Sequence, residues 1–374
     1  MKTNKTLVGA ALIFLLIVVG AAGIKLLLPK MEDSQQIETS DAGKTKGKIR
    51  IAMDNWIGYF PLRSPEMKKQ MRRAGYILEC EDDKADYARR MKRLENGETD
   101  FVVATVDSFI LNAAKHNYPG TVVMVIDESK GGDAILARKD RVGSLDDLKG
   151  KSDVKVAFTP DSPSHHLAKA AADHFDVPEL LPSGNLRIET DGSEKARDKL
   201  LTGKADIAVC WEPDVSRALG KNGIVKLLGT EDTERLIVDI LVASRNFVRT
   251  EPETIRLLLN TYFRVLKKYR DTPDLLLAHV KAETGLAAES MLRGVHWINF
   301  NENCEKWFGI SAPGTYADDG LISTIDATVR ILVNAGDFSE NPVPDKDPYR
   351  LTNSAFLEEI FSAGMSGFTK SGSG

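Results

Sequence analysis

The sequence predicts an α/β protein of two similarly built lobes with a helical carboxyl-terminal layer, preceded by one transmembrane helix. Three observations predict it. Residues 205–214, ADIAVCWEPD, form a short buried strand that turns polar and aromatic at its carboxyl end, and ligands of open α/β sheets bind outside that end. Residues 94–108, LENGETDFVVATVDS, repeat the plan of residues 200–214, LLTGKADIAVCWEPD. An almost unbroken apolar run at residues 7–28 precedes both.

The chain of 374 residues has a formal net charge of -4, a length that allows two lobes and a charge that argues against nucleic-acid binding. Cys80, Cys210 and Cys304 are far apart, which excludes a zinc-type spacing and a dense disulfide framework and allows at most one bridge. Cys210 lies in an apolar strand and reads as a small core residue.

At the amino terminus, Lys2 and Lys5 precede the apolar run, which only Lys25 interrupts. About 20 apolar residues span a bilayer as a helix, with Lys25 snorkelling near one edge. The expected order is a cytoplasmic start (1–6), an anchor (7–28) and a flexible polar tether (29–47), with the body exported. A cleaved signal peptide is the competing reading, because Gly20, Ala21, Ala22 and Gly23 resemble a cleavage site.

The folded body begins at about residue 48. Strands are expected at 48–54, 76–79, 101–106, 122–127, 134–138, 155–159, 186–189, 207–210, 224–228 and 236–243, each an apolar or alternating run bounded by turn residues. Helices alternate with them at 64–75, 87–97, 107–116, 164–175 and 193–202, and from near Pro213. Ser64, Asp107, Ser108 and Ser144 are the expected caps. The following helices at 252–269, 274–284, 287–297, 301–308, 321–333 and 354–361 bring no further strand pattern and read as a layer on the first lobe. In the internal repeat, Gly97 matches Gly203, Asp100 matches Asp206 and Thr105 aligns with Trp211. Shared order of elements points to two lobes of one build. The first lobe is expected to comprise 48–133 and 239–364, the second 134–238, and the Gly- and Ser-rich residues 365–374 read as a tail.

Four loops at strand ends are candidates to converge. Trp56 and Tyr59 offer flat apolar walls in the first, Thr105, Asp107 and Ser108 form the second, and Trp211, Glu212 and Asp214 form the fourth. In the third, Ser162 and Ser164 open a helix whose free amides suit an anion, although capping explains both serines equally well. His165 adjoins that turn, but neighbouring histidines on a helix diverge, so no metal pair is expected there. Asp133 follows two glycines, and Asp239 stands inside an apolar strand where a lone acid needs a partner. No hydrolase elbow, phosphate loop or metal-helix motif is present, so neither catalysis, a metal nor a cofactor is expected.

The ordered segments IAMDNWIGYFPL, LENGETDFVVATVDSF, DESKGGDAILARK, SLDDLKG, TPDSPSHHLAK, LLTGKADIAVCWEPDVS and IVDILVAS resemble the nitrate, sulfonate and taurine group of ABC-importer substrate-binding proteins over about residues 48–270. The resemblance implies a type II periplasmic-binding fold, with crossovers near 131–134 and 236–239 and a ligand held in a cleft that closes by hinge motion. It implies that Trp56, Tyr59, Thr105, Asp107, Ser108, Asp133, Ser162, Ser164, Trp211, Glu212, Asp214 and Asp239 face that cleft, and His165, beside the third loop, is a further ligand candidate. The helices after Thr272 exceed what a minimal binding protein requires.

The expected function is therefore capture of a small polar anionic or zwitterionic solute by a binding protein anchored in the cytoplasmic membrane, its body in the periplasm or extracytoplasmic space. An ABC permease and its ATPase are the implied partners. A ligand sensor or envelope interaction module using the same cleft is the alternative. A pyrimidine-synthase-like enzyme is disfavoured, since Cys210, His165 and His166 do not reproduce the cysteine-rich motif of those enzymes.

Overall fold

The computed structural model describes residues 45–310 and 319–363. The expected anchor at 7–28 lies outside them, as do almost all of the tether and the tail from residue 364. Among the described residues, no helix is long and apolar enough to cross a membrane.

The strands in chain order are β1 (Gly47–Met53), β2 (Tyr76–Asp82), β3 (Phe101–Thr105), β4 (Gly120–Ser129), β5 (Asp133–Arg138), β6 (Val156–Phe158), β7 (Arg187–Glu189), β8 (Ile207–Trp211), β9 (Ile224–Gly229), β10 (Val238–Ser244) and β11 (Val295–Trp297). They build two sheets, ordered β11-β4-β10-β3-β1-β2 and β7-β6-β8-β5-β9. The chain leaves the first sheet after β4 and returns at β10, so two crossings join the lobes. Each crossing reverses direction. β10 therefore runs antiparallel to β3 and β4 beside the parallel β1, β2 and β3, and β5 runs antiparallel to β8 and β9 beside the parallel β6, β7 and β8. Strands buried on both faces need continuous apolar sequence, and β3 and β8 are buried along their whole length.

In the first lobe, α1 (Pro65–Arg73) starts on Ser64, whose hydroxyl accepts the Met67 amide. α2 (Tyr87–Glu95) starts on Asp86, which accepts the Arg89 amide. α3 (Val106–Ala113) is capped by Thr105, not by Asp107 and Ser108, because the Thr105 and Ser108 side chains close a reciprocal capping box. In the second lobe, α4 (Pro163–Phe175), α5 (Ser193–Leu201) and α6 (Asp214–Leu219) cover the sheet, which divides the apolar core into two clusters. The carboxyl-terminal layer holds α7 (Arg245–Thr250), α8 (Pro252–Asp271), α9 (Pro273–Thr284), α10 (Ala288–Arg293), α11 (Gly320–Asn334) and α12 (Ala355–Ser362). α8 buries Ile255, Leu258, Leu259, Tyr262, Phe263 and Leu266 in the core of the first lobe.

Two expectations fail in this layer. The helix expected over 287–297 stops at Arg293, and Val295–Trp297 becomes β11, antiparallel to β4. Gly294 causes the break: its carbonyl accepts the Lys130 amide at 2.9 Å, and a Cβ there would lie 2.7 Å from the Gly132 nitrogen. The helix expected over 301–308 is one turn, Phe300–Glu302, that widens at Asn303–Trp307. There the Asn303 side chain accepts the Val125 N–H and donates to the Val125 carbonyl, both at 2.9 Å, at an irregular stretch of β4. All three cysteines are free.

The internal repeat has a physical basis. Gly97 and Gly203 end their helices at φ 70° and 71°, a conformation open to glycine. The Asp100 carboxylate accepts the Arg50 amide at 2.8 Å, and the Asp206 carboxylate accepts the Lys155 amide at 3.0 Å. In return the backbone amides of Asp100 and Asp206 donate to the carbonyls of Arg50 and Lys155. The same device thus ties β3 to β1 and β8 to the start of β6.

Candidate functional site

The carboxyl ends of β1 and β2 face those of β6, β7 and β8 across the gap between the lobes. An outer chamber of about 660 Å³ opens there, lined by Asn55, residues 82–88 and Asn112 from one lobe and by 159–161, 190–195 and Trp211 from the other. The lobes touch across it: the Trp211 Nε1 donates to Asn55 Oδ1 at 2.9 Å, the Ile57 amide to the Glu212 carbonyl at 3.2 Å, and Asn112 Nδ2 to the Asp161 carbonyl at 3.1 Å. Behind the chamber lies an inner void of about 10 Å³, room for about one water molecule. Asp54, Trp56, Tyr59, Thr105, Asp133 and Asp239 are among its walls, and Tyr87 and Trp211 border both spaces.

The inner walls are acidic, and most of the acids have partners. Asp54 accepts from Tyr87 Oη at 3.1 Å and from Arg90 Nη2 at 3.2 Å, and the fully buried Arg90 also pairs with Asp83. Asp127 accepts from Trp56 Nε1 at 3.1 Å. This contact requires Gly58, since a Cβ there would lie 2.2 Å from both Asp127 Oδ2 and Trp56 Nε1. Asp239 stands opposite Asp127 in the β4–β10 pair and accepts from the Tyr59 hydroxyl. Burial pushes Asp127 up to about 7 and Asp239 well above the usual carboxylate range.

Asp133 differs. It opens β5 opposite Trp211, it is 2% exposed, and its Oδ1 has no hydrogen-bond partner. Burial pushes it up to about 8, and the neighbouring Ser129 hydroxyl only partly offsets this. Other buried side-chain atoms without a partner flank the same seam: both oxygens of Asp107, the hydroxyls of Thr159 and Ser164, and both ring nitrogens of His166. Burial raises Asp107 and lowers His166, each acting on the other against that trend.

The structure brings Trp56, Tyr59, Thr105, Asp133, Trp211 and Asp239 together around the inner void. The other expected residues are spent elsewhere or stand back from it. Ser108 is occupied by the capping box, and Ser162 donates to the Thr159 carbonyl at 2.7 Å. Asp107 and Ser164 are buried near the facing helix starts, not on the walls of either space. Glu212 holds the Ser216 amide and hydroxyl at 2.9 and 2.7 Å. Asp214 is paired with Arg197 and Arg217. His165 turns away: its ring stacks on Phe158 at 4.8 Å, burial lowers it to about 3, and it lines a separate groove on α4. Sequence reasoning missed Asp54, Tyr87, Asp127 and Thr159. A usable signal was present for two of these, since KIRIAMD and VVMVID each end an apolar strand in aspartate, as LIVD begins one.

Two α/β lobes, two crossing strands and a polar cleft at the strand ends define the periplasmic-binding class of fold. A family model described as NMT1/THI5 like matches residues 79–274, and the chain belongs to this family. No curated protein matches it. Among solved structures, the alkanesulfonate-binding protein SsuA from Xanthomonas axonopodis pv. citri, bound to MOPS, is 13% identical with a TM-score of 0.62, covering 83% of this chain and 100% of that one. The aliphatic sulphonate binding protein SsuA from Escherichia coli is 17% identical with a TM-score of 0.60, covering 82% and 99%. The desulfurization enzyme DSZB is 12% identical with a TM-score of 0.55, covering 84% and 99%. At these identities the likeness is one of fold, and this fold carries both binding proteins and an enzyme.

Proposed function

We propose that the chain is an exported, membrane-anchored solute-binding protein that captures a small polar solute between its lobes and delivers it to an ABC-type permease and its ATPase. The anchor is residues 7–28, and the body sits on the extracytoplasmic side. One observation carries the reading: polar atoms from both lobes are buried without partners along the seam, beside a chamber of about 660 Å³. Buried polar groups are ordinarily satisfied, so such a seam is what a polar guest would complete. The family and the sulfonate-binding proteins of the same fold support it. A binding role rather than a catalytic one is supported by Cys210, whose thiol burial pushes far up and which donates to the Ser193 carbonyl. The carboxylates of the cleft favour a zwitterion, taurine-like or amino-acid-like, over a simple anion.

A thermal melt of the full-length chain against sulfonates, amino acids, nitrate and pyrimidines tests this. A bound solute at a hundredfold excess over its Kd contributes about 2.7 kcal/mol, so the expected outcome is a rise in Tm with at least one class. No rise with any of them contradicts the reading.

A further inference from the structure

Resting on that reading, we propose that the solute enters amine first: a protonated primary amine is seated in the inner void and received by Asp133. Among the described residues, those walling the void include three aspartates, Asp54, Asp133 and Asp239, and no Lys, Arg or His. Asp54 has Arg90, and Asp239 has the Tyr59 hydroxyl. Asp133 Oδ1 is buried with nothing to accept from, and a buried acceptor left alone is costly. An ammonium supplies both the charge and the donor.

Three further features select a cation. The void of about 10 Å³ matches one water, the size of an ammonium and far smaller than a sulfonate. Tyr87 and Trp211, aromatic side chains of the kind that attract cations, border both spaces, and Tyr87 already carries the Arg90 guanidinium over its ring at 4.5 Å. The outer chamber is lined by Asp82, Asp83, Asp86, Asp161, Asp191 and Glu194 against Lys84 and Lys195; Asp82 pairs with Lys84, Asp83 with Arg90 and Glu194 with Arg197, and the remaining lining is net acidic, a field that draws positive charge inward. Thr159, 3% exposed and on the second-lobe wall of that chamber, has a hydroxyl without a partner, placed for the outer part of the guest. A metal ion is the competing cation, but among the described residues no group of three His, Cys, Asp or Glu side chains, the three aspartates of the void included, has an arrangement that could hold one.

The test compares solutes matched except for the amine. Calorimetric titration and thermal melts of the full-length chain are run with 2-aminoethanesulfonate against ethanesulfonate, with glycine against acetate, and with putrescine, nitrate and calcium chloride. The expected result is binding of at least one amine, loss of binding in its amine-free counterpart, and a drop of about tenfold or more in amine affinity in Asp133→Asn. Ethanesulfonate or acetate binding as well as its amine counterpart, or nitrate binding where no amine binds, overturns the inference while solute binding stands. A calcium shift with none from the amines overturns it in favour of a metal. Silence across the whole set overturns both. The matched pairs on the unsubstituted chain decide the matter even where Asp133→Asn fails to fold.

Discussion

Asp214 and Asp133 are both buried aspartates at neighbouring strand ends of the second sheet, one just after β8 and the other at the start of β5. Asp214 accepts from Arg197, from Arg217 at 3.2 Å and from Asn55 Nδ2 at 3.5 Å. Asp133 keeps Oδ1 without a partner. Burial is common to the two, so burial does not mark the site; the missing counter-charge does. The first lobe repeats the contrast, with Asp54 tied to Arg90 while Asp127 and Asp239 face each other without a cation and are both pushed up by burial.

Breaking the paired side of this contrast gives the largest expected effect. Arg90→Met strands Asp54 and Asp83 in the core of the first lobe, and removing one partner of a buried pair costs about 3–5 kcal/mol, measurable as a lower urea midpoint. Arg197→Met leaves Asp214 with Arg217, so a smaller loss of about 1–3 kcal/mol is expected.

The unpaired side shows its effect in the pH profile. Asp133 titrates near 3.8 when unfolded and at about 8 in the fold. Between those values the folded chain holds a proton that the unfolded chain has released, so the stability that Asp133 contributes is fullest below about pH 4 and falls as pH rises toward 8. Asp127, raised to about 7, adds a loss of the same sign. The groups acting on Asp133 are the Ser129 hydroxyl and the carboxyls of Asp107, Asp127 and Asp54, which make its ionisation harder or only partly ease it. Asp133→Asn removes its share. In acid, where Asp133 is protonated in both states, its melt is expected to stay close to that of the unsubstituted chain, and as pH rises toward 8 it is expected to be the more stable of the two. An unchanged slope would show that Asp133 is ionised throughout.

How much of this was legible follows from where each residue sits. Trp56, Tyr59, Thr105, Asp133, Trp211 and Asp239 flank apolar strands that the sequence displays, and the lobe-spanning repeat rests on Gly97, Gly203, Asp100 and Asp206, whose chemistry is local. Long-range partners were not legible. Arg90 sits among the many basic residues of YARRMKRLE, and only packing shows that it alone faces Asp54. Asp127 looked like a strand end because its partners Trp56 and Asp239 are distant in sequence. His165 looked like a cleft residue because a helix start cannot reveal which way its third side chain turns. The strand at Val295–Trp297 hid behind a helical pattern that Gly294 ends to meet Gly132.

The most direct measurement is a crystal structure of the full-length chain with the tightest-binding amine of the matched pairs. The account predicts the ligand nitrogen within hydrogen-bond distance of Asp133 Oδ1, about 3 Å, with the rest of the ligand leading out past Trp211 and Tyr87 toward Thr159. A sulfonate or carboxylate seated at Asp133, or a ligand bound in the groove beside His165, would contradict it.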